Sequence, residues 1–176
     1  MALADLVRRV RQDPETRALR ALARGTRTLP ARRRPEVALQ LVSDLARSLT
    51  KASYAALAVT DEHDYTEGFV VSGLDDVELR YLKTPPQGHG PLGSLRLDGR
   101  PVRYEDIREH ARAFGFPSNH PEMQRLMGVA IWANGEVRGA LYVTDRRDGK
   151  LFDDDDERIL TTLAEHASKV IETEWY

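Results

Sequence analysis

Two side chains carry the chemistry this sequence can offer, His120 and Tyr142. His120 lies in the stretch FGFPSNHPEM and is followed at once by Pro121, which limits backbone freedom. A neutral imidazole held on such a loop can ligate a metal or a cofactor iron. It can equally be a surface histidine that caps a short helix. Tyr142 sits in the apolar run GALYVTD, where its hydroxyl can donate to a small ligand. The competing role is a packing ring whose hydroxyl finds a partner at a cavity edge. Among the other histidines, His89 falls in a Gly-rich turn, His63 and His110 in polar loop or helix-end contexts, and His166 beside the apolar stripe of the last helix.

The acidic run Asp153–Asp156 invites a calcium reading, but it lacks the alternating ligands and distant bidentate Glu of an EF-hand loop. Helix capping and favourable charge at the positive end of a helix dipole account for it. The Gly-rich segment Gly88–Gly93 lacks the GxxxxGK[ST] pattern and is not a phosphate cradle. Neither a Ser/His/Asp set nor a nucleophile elbow or metalloprotease helix is present, so the chain is expected not to be an enzyme. The absence of cysteine removes disulfides, thiolate nucleophiles, iron–sulfur clusters and thioether-linked chromophores.

These residues need elements to hold them. Asn134-Gly135 between two apolar runs predicts a tight hairpin, because both turn residues must accept positive φ. Its second strand, Val137 to Thr144, alternates two faces. Val137, Gly139, Leu141 and Val143 suit packing on a helix; Arg138, Ala140, Tyr142 and Thr144 can line a pocket. Upstream, Pro35 opens a helix to about Leu49 with Val37, Leu41, Val42, Leu45 and Leu49 on its buried side. Strands Tyr54–Thr60 and Glu67–Ser72 follow, joined by a polar turn. A short helical piece after Gly73, one after the Gly-rich turn and one from Glu105 to about Ala113 make up an insertion. After DDDDE, a last helix carries Ile159, Leu160, Leu163, Ala167, Val170 and Ile171 on one stripe. The pattern is α+β, an antiparallel sheet with N- and C-terminal helices on one face and a loop and short-helix pocket on the other.

The chain divides into a basic helical arm, residues 1–34, and a domain, residues 35–176. Residues 1–34 hold ten Arg against Asp5, Asp13 and Glu15, a balance of +7, and the remainder carries −9. Leu3, Leu6, Val7 and Val10 predict a short amphipathic helix, and Asp13-Pro14 a second helix start with Leu19 and Leu22 on one stripe. Nothing in the sequence anchors this arm to a core; a dimer contact or docking along the terminal helices would bury its apolar side. No aromatic residue lies among the arginines, so nucleic acid is not an expected partner. The chain lacks an apolar run long enough to span a bilayer, and its first residues lack a signal-peptide core, so a cytoplasmic location is expected.

From Pro35 to Ile171 the sequence resembles a GAF domain, the small-molecule sensing module of signalling proteins. The segments that carry the likeness are FVVSG, RPVRYEDI, GFPSNHPEM, GVAI, GALYVTD and FDDDDERIL. More narrowly it is similar to the heme-binding GAF domain of the DevS/DosS/DosT dormancy sensor kinases. That resemblance implies a b-type heme, with His120 as the proximal iron ligand and Tyr142 as the distal residue facing a bound gas. Phe152 with Asp156-Glu157 matches half of the family's cyclic-nucleotide motif, but the Asn-Lys half is missing. The free methionine sulfoxide reductases share the fold but depend on cysteines absent here. The implied function is a cytoplasmic sensor that binds a small ligand and acts through association, as a homodimer and with a signalling partner such as a kinase or regulator. The alternative is a cofactor-free dimerisation and docking module.

Overall fold

A computed structural model describes residues 13–63, 65–81, 95, 97–108 and 122–175. The predicted helix around Leu3–Val10 lies outside these residues, as do His89, His110, Phe116 and His120. The order is α1 (Pro14–Thr26), α2 (Pro35–Leu49), β1 (Ala52–Thr60), β2 (Thr66–Ser72), α3 (Asp76–Tyr81), β3 (Val102–Tyr104), β4 (Leu126–Ala133), β5 (Glu136–Arg146) and α4 (Asp154–Val170). A π-helical turn, Ile171–Trp175, extends α4. The strands form one antiparallel sheet in the order β2-β1-β5-β4-β3.

Local chemistry explains the boundaries. Asn134 and Gly135 take φ of 53° and 83°, which the β4–β5 turn requires. Asp153 caps α4 by accepting from the Asp156 backbone N–H, and the Asp153 N–H in turn donates to the Asp156 carboxylate at 3.1 Å. Asp13 caps α1 in the same sense, accepting from the Thr16 N–H at 2.8 Å.

The period-2 alternation of β5 splits the molecule into two cores. On one face Leu57, Met127, Val129, Ile131, Leu141 and Val143 join Leu39, Val42 and Ala46 of α2 and Ile159, Leu160, Leu163 and Ala167 of α4. On the other, Ala56, Leu126 and Tyr142 cluster with Leu95 and Ile107 from the insertion. Of the two sets read from the sequence, Leu141 and Val143 are seen in the helix-facing core and Ala140, Tyr142 and Thr144 on the insertion side.

Three expectations need correction. In α1, the described part of the arm, docking along the terminal helices is as anticipated, but the buried stripe is not Leu19 with Leu22. Ala18, Ala21 and Leu22 are buried against the terminal helices, whereas Leu19, 60° round the helix from Leu22, is 57% exposed. In α2 the buried stripe is Ala38, Leu39, Val42, Ser43 and Ala46, rotated from the predicted one. Leu41 turns instead toward α1 and fills the space a side chain at Gly25 would take. The helix expected from Glu105 does not begin there: residues 105–107 are a loop whose Ile107 N–H donates to the Gln124 carbonyl at 2.7 Å.

Candidate functional site

Tyr142 stands mid-sheet, opposite Ala56 of β1 and Gly128 of β4. Both neighbours are small, and this lets the insertion approach the ring. A Cβ on Gly128 would come within 2.9 Å of Leu95 Cδ1 and 3.4 Å of Tyr142 Cβ. Phe69, Val71 and Met123 pack round the same cluster. Met123, the last residue of the GFPSNHPEM stretch, is part of the wall beside Tyr142.

Between Tyr142 and this wall lies a cavity of about 20 Å³, lined by Tyr54, Ala56, Phe69, Val71, Leu74, Met123 and Thr144 among others. Its lining is overwhelmingly apolar. The polar groups reaching it are hydroxyls. The Thr144 Oγ1 is buried without a hydrogen-bond partner among the described residues. Tyr142 forms no hydrogen bond among the described residues, and burial pushes its phenol well above the ordinary value. Tyr54 is likewise raised, first by burial and then by nearby Glu78 and Asp145. The phenol of Tyr142 therefore stays neutral across the physiological range and is a hydrogen-bond donor in search of an acceptor.

The space takes one water or a diatomic molecule. It does not take a porphyrin, which would require the wall of Phe69, Val71, Leu74 and Met123 to retreat. The donors fit the gas-facing side of such a site; the volume, as it stands, does not fit the macrocycle.

Asp145 was not singled out from the sequence, yet it positions this wall. Held at φ 50°, it accepts backbone N–H bonds from Gln124 at 3.1 Å and Arg125 at 2.9 Å. These clamp the end of the loop to the end of β5. The only sequence signal for it was its place at the end of GALYVTD. His63 is exposed beside Glu62, and His166 is partly buried on α4, its pKa lowered by burial and then by Arg33. Among the described residues no cluster of His, Asp and Glu is arranged to hold a metal ion.

The GAF domain family profile matches residues 32–172. The chain belongs to the GAF domain family. Its fold is that of a GAF domain from a Coxiella burnetii phosphoenolpyruvate-protein phosphotransferase, 22% identical over 90% of this chain and 92% of that one, with a TM-score of 0.71. The GAF domain of the Acinetobacter phosphoenolpyruvate-protein phosphotransferase is 18% identical over 97% and 94%, with a TM-score of 0.68. The free methionine-R-sulfoxide reductase of Neisseria meningitidis, solved in complex with its substrate, is 16% identical over 93% of each chain, again with a TM-score of 0.68.

The last likeness corrects the expectation that the chain is not an enzyme. This GAF fold is shared with a reductase that holds its substrate, so lack of the searched motifs does not exclude catalysis. No helix among the described residues is long and apolar enough to cross a membrane.

Proposed function

We propose that this GAF domain is a small-ligand sensor that signals through protein association, with the ligand taken up on the Tyr142 face of the sheet. The observation that carries this reading is a buried, neutral phenol without a hydrogen-bond partner among the described residues, at the edge of an apolar cavity. The Thr144 Oγ1 on the same face is buried without a partner among the described residues, which costs free energy, and a polar ligand reaching both hydroxyls would recover it. GAF domains form a signalling and sensory family, which supports a partner such as a kinase or regulator.

The sharp form of the proposal is a b-type heme with His120 on the iron and Tyr142 facing a diatomic gas, in the manner of the dormancy sensor kinases. Heme would supply the iron that binds the gas and Tyr142 the hydrogen bond, and its entry would require Leu95 and the wall of Phe69, Val71, Leu74 and Met123 to move aside. Hemin titration of the purified protein, with native mass spectrometry of the same sample, tests it. A Soret band that shifts with carbon monoxide and is lost in His120→Ala is expected. A free-hemin spectrum ends the heme form.

The cofactor-free docking module is favoured by one observation, the tight wall over Tyr142. If native mass spectrometry shows no bound small molecule, and hemin and carbon monoxide leave the melting temperature unchanged, that second reading replaces the first.

A further inference from the structure

We propose that the exposed face of α1 is a docking surface for an acidic helical segment of a partner protein. Arg17, Arg20, Arg24 and Arg27 are all exposed. Their spacing of three, four and three residues places them on one side of the helix, along about 15 Å of its axis. Ala18, Ala21 and Leu22 hold the opposite side against the domain, so the stripe is presented rigidly.

Among the described residues the stripe lacks a counter-charge of its own. Residues 13–34 hold seven Arg against two acids, Asp13 and Glu15, a balance of +5. Both acids are committed elsewhere: Arg158 of α4 binds Asp13 at 2.8 Å and Glu15 at 3.2 Å. No ion pair among the described residues reaches the four arginines of the stripe. Elsewhere the protein pairs its arginines closely, as with Arg103 to Asp154 and Glu157, and Arg146 to Asp148 and Asp156. Four guanidinium groups in a row, unpaired among the described residues, repel one another, and carboxylates at matching helical spacing relieve that repulsion with bidentate bonds.

A protein helix fits better than nucleic acid. Residues 35–176 carry −9, so a long polyanion would meet repulsion from the body beyond the stripe. Residues 1–34 hold no aromatic side chain for bases to stack on. This surface specifies the association half of the function proposed above. It is separate from the Tyr142 cavity, so hemin titration and the test below fail independently.

The test is fluorescence anisotropy on the full chain with labelled alanine-based helical peptides of about 18 residues. One bears Glu at i, i+3, i+7 and i+10, one has the same composition with Glu spread round the helix, and a DNA duplex is the third probe. At about 0.15 M salt the striped peptide is expected to bind at least roughly ten-fold tighter than the other two. Reversal of the stripe (R17E/R20E/R24E/R27E) should abolish that preference, and a Lys-striped peptide should bind the reversed variant. Circular dichroism checks the variant's fold, with the four Gln substitutions as the milder set if it melts early. Equal binding of the two peptides, tighter binding of the duplex, or unchanged binding by the variants overturns the proposal.

Discussion

Arg146 Nη1 lies 2.6 Å from Asp156 Oδ2, joining the last residue of β5 to the first turn of α4. Both side chains are about nine-tenths buried, and Asp156 also closes the capping box with Asp153. Removing one partner of a buried pair leaves the other charge poorly solvated. Arg146 retains Asp148 at 2.7 Å, which softens the loss. Asp156→Ala is expected to cost about 2 kcal/mol in urea unfolding, and about 4–8 °C in Tm. A change below about 0.5 kcal/mol would show that the cap and ion pair are incidental.

Acid should erode stability through the exposed carboxylates bound by arginine. Asp148 is held far below the usual range, chiefly by its hydrogen bond from Arg146, and Asp106 is lowered to about 2 by Arg108. A folded pKa below the unfolded one adds stability that is present above the unfolded value near 3.8 and lost as pH falls through the folded value. Wild type should therefore exceed Asp148→Asn in urea midpoint at pH 6, and the gap should close as pH drops below about 4. A gap that stays constant with pH would place the effect of Asp148 in packing or turn geometry.

The sheet and its two faces were readable because a two-residue turn and strict alternation leave few alternatives. Leu141 and Val143 could face only the helices once Tyr142 and Thr144 faced the insertion. Capping of α4 was equally local. What escaped was tertiary. In α1, which stripe is buried depends on where Ala18 and Ala21 can approach α4, and alanine carries a weak hydrophobic signal. Asp145 reads as a polar strand end until the backbone of Gln124 and Arg125 is brought to it across 20 residues of chain. Cavity size was not legible at all, since it depends on how Leu95 and Met123 seat over Gly128 and Ala56.

Tyr142→Phe separates packing from function. The hydroxyl has no hydrogen bond among the described residues, so its removal should leave stability within about 0.5 kcal/mol or raise it slightly. Tyr142→Ala, which empties a buried ring position, should cost about 3–5 kcal/mol. If Tyr142→Phe costs more than about 1.5 kcal/mol in urea unfolding, the hydroxyl is structural and the donor reading of the site fails.

Asp145 couples the end of β5 to the segment that walls the cavity. Its carboxylate satisfies two backbone donors, those of Gln124 and Arg125, while its own N–H donates to the Arg125 carbonyl at 3.1 Å. Asp145→Ala removes both acceptor bonds and leaves a side chain that tolerates φ 50° less well. A loss of about 1–3 kcal/mol follows, concentrated locally rather than across the sheet. Hydrogen exchange at the Gln124 and Arg125 amides should accelerate by at least roughly ten-fold, while Leu141 and Val143 exchange as in wild type. Asp145→Asn, which keeps one carbonyl acceptor and tolerates the left-handed conformation, should fall between the two. Unchanged exchange at both amides in Asp145→Ala would mean that the loop is held by Met123 packing alone.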